Sequence, residues 1–143
     1  MINVLVFPCG SEIGLEVHNA LKYDKHINLV GLSSVSSHGR VVYKNYIEGI
    51  SFITSDTFME ELNKIIEDNN IDVLIPAYDD VILYLSEHRD ELKCKLATSN
   101  KTTCDIARSK RKTYEVLQGE WYIPETFKVS QITEKDLPLF AKP

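Results

Sequence analysis

The stretch Asn3-Val4-Leu5-Val6-Phe7-Pro8-Cys9-Gly10-Ser11-Glu12-Ile13-Gly14 decides the fold class of this chain. Asn3 to Phe7 is continuous in Val, Leu and Phe, the pattern of a short strand buried on both faces, and Pro8, Cys9 and Gly10 punctuate it. From Ser11 onward Ile13, Val17, Ala20 and Leu21 recur at helical spacing, with Ser11 placed to cap the helix N-terminus. Strand, glycine turn and helix follow one another directly.

The alternation continues outward from there. Asn28 to Leu32 reads as a second apolar strand, and Ser33 to Gly49 as a polar surface loop rich in serine. Ile50 to Ile53 is expected to be a third short strand. It leads through an Asp56 cap into a helix with Phe58, Leu62, Ile65 and Ile66 on one face, ended by Asn69 and Asn70. Asp72 to Ile75 is the next buried strand; Pro76 and Ala77 then open a helix carrying Val81, Ile82 and Leu85 inward, and Lys93 to Ala97 is a last short strand. Fully apolar strands alternating with helices imply a parallel sheet covered on two sides. The expected class is therefore α/β, doubly wound. In such sheets ligands lie beyond the carboxyl ends of the strands. The segments beginning at Pro8, Ser33 and Pro76 should then face one crevice, whose candidate residues are Cys9, Gly10, Ser11, Glu12, Ser33, Tyr78, Asp79 and Asp80.

Bulk properties narrow the function classes. The 143 residues suffice for one core, and 43% hydrophobic with 26% charged residues is ordinary for a globular domain. A net charge of -5 argues against a nucleic-acid surface, which needs a basic face. No apolar stretch approaches the roughly 20 residues of a membrane helix, and Met1 to Phe7 lacks the make-up of a signal peptide. Cys9, Cys94 and Cys104 contain no C-x-x-C pair and leave one cysteine over in any disulfide scheme, which points to a reducing, cytoplasmic setting. His18, His26, His38 and His88 are scattered without metal-ligand spacing, so no metal site is expected.

Gly10-Ser11-Glu12-Ile13-Gly14 matches half of a dinucleotide fingerprint. The full G-x-G-x-x-G is absent, and the second strand ends on Ser33 and Ser34 rather than on an acid that would hold a ribose, so the glycines are read as serving a tight turn and close helix packing. Cys9 precedes a helix N-terminus, yet no histidine is near in sequence to activate it, and it is read as a packing residue. Asp79 and Asp80 either orient a substrate or metal, or cap the helix that follows. Arg108, Lys110, Arg111 and Lys112 form a cationic run on a helix expected over Asp105 to Leu117, suited to phosphate or to a solvated face. Beyond it, Phe127 to Val129 reads as a strand, Thr133 to Leu137 as a polar connection and Leu139 to Lys142 as the start of another strand.

The order Ser109-Lys110, Thr113, Leu117, Ile123-Pro124-Glu125-Thr126 and Pro138-Leu139-Phe140-Ala141-Lys142-Pro143 resembles the ATP-grasp superfamily. The opening segment and Ile75-Pro76-Ala77-Tyr78-Asp79-Asp80 look like its carbamoyl-phosphate synthase large subunit-like branch. The resemblance implies a Rossmann-like pre-ATP-grasp domain over residues 1–100, and over residues 101–143 a linker helix with the first strands of a truncated ATP-grasp domain. It implies ATP as cofactor, contacted by Lys110, with Arg111 as the alternative, and by Lys142. It further implies magnesium in the full-length protein and a small carboxylate substrate activated as an acylphosphate for attack by an amine or ammonia. A homodimer is possible on this reading. No catalytic residue is assigned, and the 143-residue chain alone is expected to be inactive. The alternative expectation is a stand-alone Rossmann-like module that binds a nucleotide or another ligand, or the subunit of a split enzyme.

Overall fold

The computed structural model describes residues 1–120 and 122–140. A five-stranded sheet is ordered β3-β2-β1-β4-β5. The strands are β1 (Ile2–Phe7), β2 (Ile27–Ser33), β3 (Asn45–Glu48), β4 (Val73–Pro76) and β5 (Lys95–Leu96). Every neighbouring pair is parallel, with Leu5 opposite Val30 on one side and Leu74 on the other. The helices are α1 (Glu12–Leu21), α2 (Gly39–Val42), α3 (Phe58–Asp68), α4 (Asp79–Glu87), α5 (Lys101–Arg108) and α6 (Lys110–Val116). This strand order and this alternation are those of a Rossmann-like doubly wound sheet. Among the described residues no helix is long and apolar enough to cross a membrane.

Period-two alternation along β1 sends its side chains to opposite faces. Leu5 and Phe7 join a core with Leu32, Phe58, Leu62, Ile66, Val81 and Leu85, beneath α3 and α4. Val4 and Val6 face a smaller cluster with Cys9, Tyr43 and Ala77, against which Val17 of α1 packs.

The third strand differs from expectation. It is Asn45–Glu48, drawn from the segment read as loop, whereas Ile50 drops into the core from the connection after it. The physical reason is a ladder of amides. Asn45 Nδ2 donates to Asn28 Oδ1 at 2.9 Å, and Asn28 Nδ2 donates to Asn3 Oδ1 at 2.9 Å. Asn3 and Asn28 are directly paired and Asn45, opposite Val30, reaches Asn28 diagonally, so these bonds help pin the register of β1, β2 and β3, where a one-residue slip would turn every side chain over. The same segment also contains the short helix α2.

The apolar face of α1 is rotated from the one read in the sequence. Gly14 is buried, Leu15, Val17, His18 and Leu21 are half-buried, Ala20 is exposed and Ile13 stays 46% exposed. Gly14 sets this orientation, because a Cβ there would lie 2.6 Å from the Cys9 carbonyl oxygen and 2.8 Å from that of Pro8. Only glycine lets the helix approach the turn so closely.

His18 thereby lands on the apolar side. Its ring lies 4.9 Å from that of Tyr43, and its buried Nδ1 has no hydrogen-bond partner. Burial first, and then the charge of Lys22, hold its pKa below the usual 6.5. The folded chain therefore binds fewer protons than the unfolded chain just below pH 6.5. Stability from this group is complete above that value and is lost as pH falls from it toward the folded pKa. We expect the urea midpoint of the native chain to drop between pH 7.5 and 5.5, and His18→Leu to show a smaller drop; equal drops in both would remove His18 from the account.

The helix expected over Asp105 to Leu117 is two helices. Ser109 is extended (φ -110°, ψ 110°), ending α5 and capping α6, and Thr113 Oγ1 lies 2.9 Å from the Ile106 carbonyl oxygen across the break. A serine side chain competes well with the helical ladder for nearby backbone groups, which favours such a break. The strand expected at Phe127 to Val129 is corrected: Val129–Gln131 and Glu134–Asp136 are 3₁₀ turns, whereas the strand expected over Leu139 to Lys142 lies in part outside the described residues. The described residues from 122 to 140 are almost all exposed, and none of them pairs with a strand of the sheet. Lys142 lies outside the described residues.

Candidate functional site

In the order β3-β2-β1-β4-β5 the chain winds away in opposite directions from β1 and β4, so the switch point lies between their carboxyl ends. The segments that meet there are Pro8 to Glu12 and Ala77 to Asp80. Ser11 joins them. Its Oγ accepts from the Gly14 N–H at 3.0 Å, capping α1, and lies 2.7 Å from the Ala77 carbonyl oxygen and 2.9 Å from that of Pro8. One hydroxyl proton serves one of these carbonyls at a time. The cap expected at Ser11 is present, and the same side chain ties the first crossover to the fourth strand.

The amides of Glu12 and Ile13, in the first turn of α1, have no hydrogen-bond partner among the described residues. Unsatisfied amides at a helix N-terminus favour an anionic group. Glu12 in the first turn of α1 and Asp79 and Asp80 in the first turn of α4 add carboxylates to these two segments, Asp80 being paired with Arg108. Asp79 and Asp80 occupy the first turn of α4, whose N-cap is Tyr78, and neither side chain caps that helix. Tyr78 itself is 54% exposed over the rim.

Cys9 and Ser33 lie below this crevice. Both are buried, with Cys9 Sγ 3.4 Å from Ser33 Oγ. Burial pushes the Cys9 thiol up from its ordinary value, and hydrogen bonding to Ser33 offsets only part of this, so the group is held as a thiol rather than as a nucleophilic thiolate. Ser33 Oγ is also 3.0 Å from Ser37 Oγ. Ser37 lies directly over Gly10, so that a Cβ on Gly10 would collide with its side chain, and Gly39 sits as closely on the Cys9 sulfur. The polar loop after β2 is therefore folded down onto the first turn. In a dinucleotide site the corresponding glycines let a pyrophosphate approach; here Ser11 carries a side chain, and Ser37 fills the space above Gly10.

The cationic run divides in two. Arg108 Nε donates to Asp80 Oδ1 at 2.8 Å, and Lys112 Nζ to Asp105 Oδ2 at 2.5 Å. Lys110 and Arg111, in the first turn of α6, have no acidic partner within ion-pair distance among the described residues. The Arg108–Asp80 pair joins α5 to the start of α4 across 28 residues of sequence, a link that local spacing does not reveal. Ser37 and Arg108 are the side chains at this rim that the crevice reading passed over. The only signals were the serine cluster and the excess of cations in an acidic chain. No group of three or more His, Cys, Asp or Glu side chains able to hold a metal ion occurs among the described residues.

No protein-family model matches the chain, and no curated protein matches it. Among solved structures it is similar to dTDP-glucose 4,6-dehydratase from Bacillus anthracis str. Ames, determined in complex with NAD, at 16% sequence identity and a TM-score of 0.46. The match covers 67% of this chain and 37% of that one, so the chain spans little more than a third of that protein's length.

Proposed function

We propose that residues 1–100 are a Rossmann-like ligand-binding module whose ligand lies over the carboxyl ends of β1 and β4. The observation that carries this reading is the switch point itself, where Ser11 Oγ lies 2.7 Å from the Ala77 carbonyl oxygen and binds the two loops into one rim. The ligand on this reading is small and bears one anionic group, a carboxylate or a mononucleotide phosphate. The free amides of Glu12 and Ile13 favour such a group, while the neighbouring carboxylates disfavour accumulated negative charge. A dinucleotide is disfavoured by the Ser37 side chain over Gly10 and by the absence of an acid at the end of β2.

A second, finer reading makes this module the substrate side of an ATP-grasp ligase. It is supported by the order of motifs from Ser109 to Pro143 and by Lys110 and Arg111, which have no acidic partner among the described residues while Arg108 and Lys112 have them. In that enzyme the two cations would hold phosphate oxygens of ATP, and Lys142 would do so from a second side. The described residues fit phosphate better than magnesium, because no metal-ligating cluster occurs among them. The small carboxylate would occupy the switch-point crevice and be activated there.

Calorimetric titration of the chain with ATP, AMP and NAD separates the readings. Weak ATP binding that falls about tenfold in a Lys110→Gln, Arg111→Gln double variant supports the ligase reading, since two solvent-exposed charge contacts at roughly 0.5–1 kcal/mol each sum to about the 1.4 kcal/mol of a tenfold change. AMP binding that is indifferent to this double variant supports the module alone. Tight NAD binding would overturn the exclusion of dinucleotides.

A further inference from the structure

A second cavity lies beside the switch point, between α4, the end of β5 and α5. Its volume is about 160 Å³, and it is lined by Asp79, Ile82, Thr98, Thr103, Cys104 and Arg108, among others. One wall is built by a distant side chain. Arg89 Nη1 donates to the Leu96 carbonyl at 3.0 Å, and Nη2 donates to those of Thr98 and Ser99 at 2.8 and 2.7 Å, holding the segment after β5 in place. Asn100 caps α5 by accepting from the Thr103 N–H at 2.9 Å, which fixes the opposite wall.

The polar groups on these walls are only partly used. Asp80 engages Arg108 through Nε alone, so the guanidinium is oriented while its terminal amino groups have no hydrogen-bond partner among the described residues. The Asp79 carboxylate has no hydrogen bond or ion pair there either, and it lies near enough to Arg108 to act on its charge. Thr103 Oγ1 is likewise unused. Between these groups Ile82, Cys104 and Ala107 supply an apolar floor.

We propose that this cavity binds a small zwitterion of the α-amino acid type, with its carboxylate on the terminal nitrogens of Arg108, its ammonium on Asp79 and its side chain over Ile82 and Ala107. The pairing of opposite charges gives specificity as well as attraction. A simple carboxylate meets repulsion from Asp79, and a simple amine meets it from Arg108, so a ligand bearing one charge loses on one side what it gains on the other. Because both charged groups are exposed, binding is weak, in the millimolar range, and selective rather than tight. The proposal does not depend on which ligand occupies the switch-point crevice.

The test is a titration of the ¹⁵N-labelled 143-residue chain with three probes of similar size, L-alanine, propionate and ethylamine, followed by amide chemical shifts. L-alanine should produce saturable shifts at Ile82, Thr103 and Cys104, with propionate and ethylamine at least about fivefold weaker. Arg108→Gln and Asp79→Asn should each weaken L-alanine about tenfold while the spectrum stays dispersed, consistent with the loss of one charge-assisted contact. Asp79→Asn leaves the Arg108–Asp80 pair in place, so it tests the ligand contact apart from the docking of α5. Absence of saturable shifts, equal response to all three probes, or L-alanine binding that survives both substitutions would overturn the proposal.

Discussion

Phe58→Ala is expected to lower the stability of the chain by about 4 kcal/mol, a loss typical of a large aromatic removed from a packed core. Phe58 is fully buried. Its ring lies 5.7 Å from Phe7 and 5.6 Å, edge-on, from Tyr84, so one side chain joins the start of α3 to the last residue of β1 and to α4. Leu32, Leu62, Leu74 and Leu85 are also fully buried in the same cluster, which leaves little slack to collapse into the vacated volume. Urea denaturation followed by circular dichroism would measure the change. Phe58→Leu should retain most of the packing and cost about a third as much. A loss below about 1.5 kcal/mol for the alanine variant would mean that the core is looser than the structure has it.

Gly14→Val should be nearly as damaging, for a different reason. The atoms that an added Cβ would meet are all backbone, the Cys9 carbonyl carbon and oxygen and the Pro8 carbonyl oxygen, so no side chain can swing aside. Either α1 lifts from the sheet or the turn after β1 is displaced, and overpacking of this kind costs about 3 kcal/mol. Gly14→Ala is the sharper comparison. On helix propensity alone alanine would gain about 1 kcal/mol at this position. The close approach predicts a net loss instead, and a thermal melt showing Gly14→Ala to be more stable than the native chain would contradict the packing described for α1. Because Ser11 Oγ accepts from the Gly14 N–H, any displacement also disturbs the rim of the crevice.

Much of this architecture was legible in the sequence, and its gaps have physical causes. The unit from β1 through α1 could be read because its strand is apolar on both faces and its turn is punctuated by Pro8 and Gly10. The face of α1 was misjudged because the pattern of large apolar residues favours Ile13, whereas the helix is seated by the absence of a side chain at Gly14. β3 was missed because an edge strand has little apolar content, and its register rests on Asn45, Asn28 and Asn3, which resemble loop residues in isolation. The break at Ser109 and the 3₁₀ turn in place of a strand at Val129 depend on which neighbours are present, and periodicity carries no information about these.

The candidate site divides in the same way. Ser11, Tyr78, Asp79 and Asp80 come to one rim because strand order places them there, and that order follows from the alternation of elements. Cys9 and Ser33 lie beneath the rim, because the serine loop folds down onto Gly10 through contacts between residues far apart in sequence. The same distance in sequence concealed the engagement of Asp80 by Arg108.

The ligand of the proposed module is expected at the switch point between β1 and β4. A crystallographic screen of the chain, soaked with small carboxylic acids and mononucleotides, tests it most directly. Density for bound anions should gather at the amides of Glu12 and Ile13, within reach of Ser11 and Tyr78. Anions bound reproducibly elsewhere on the sheet, with the carboxyl ends of β1 and β4 empty, would contradict the account.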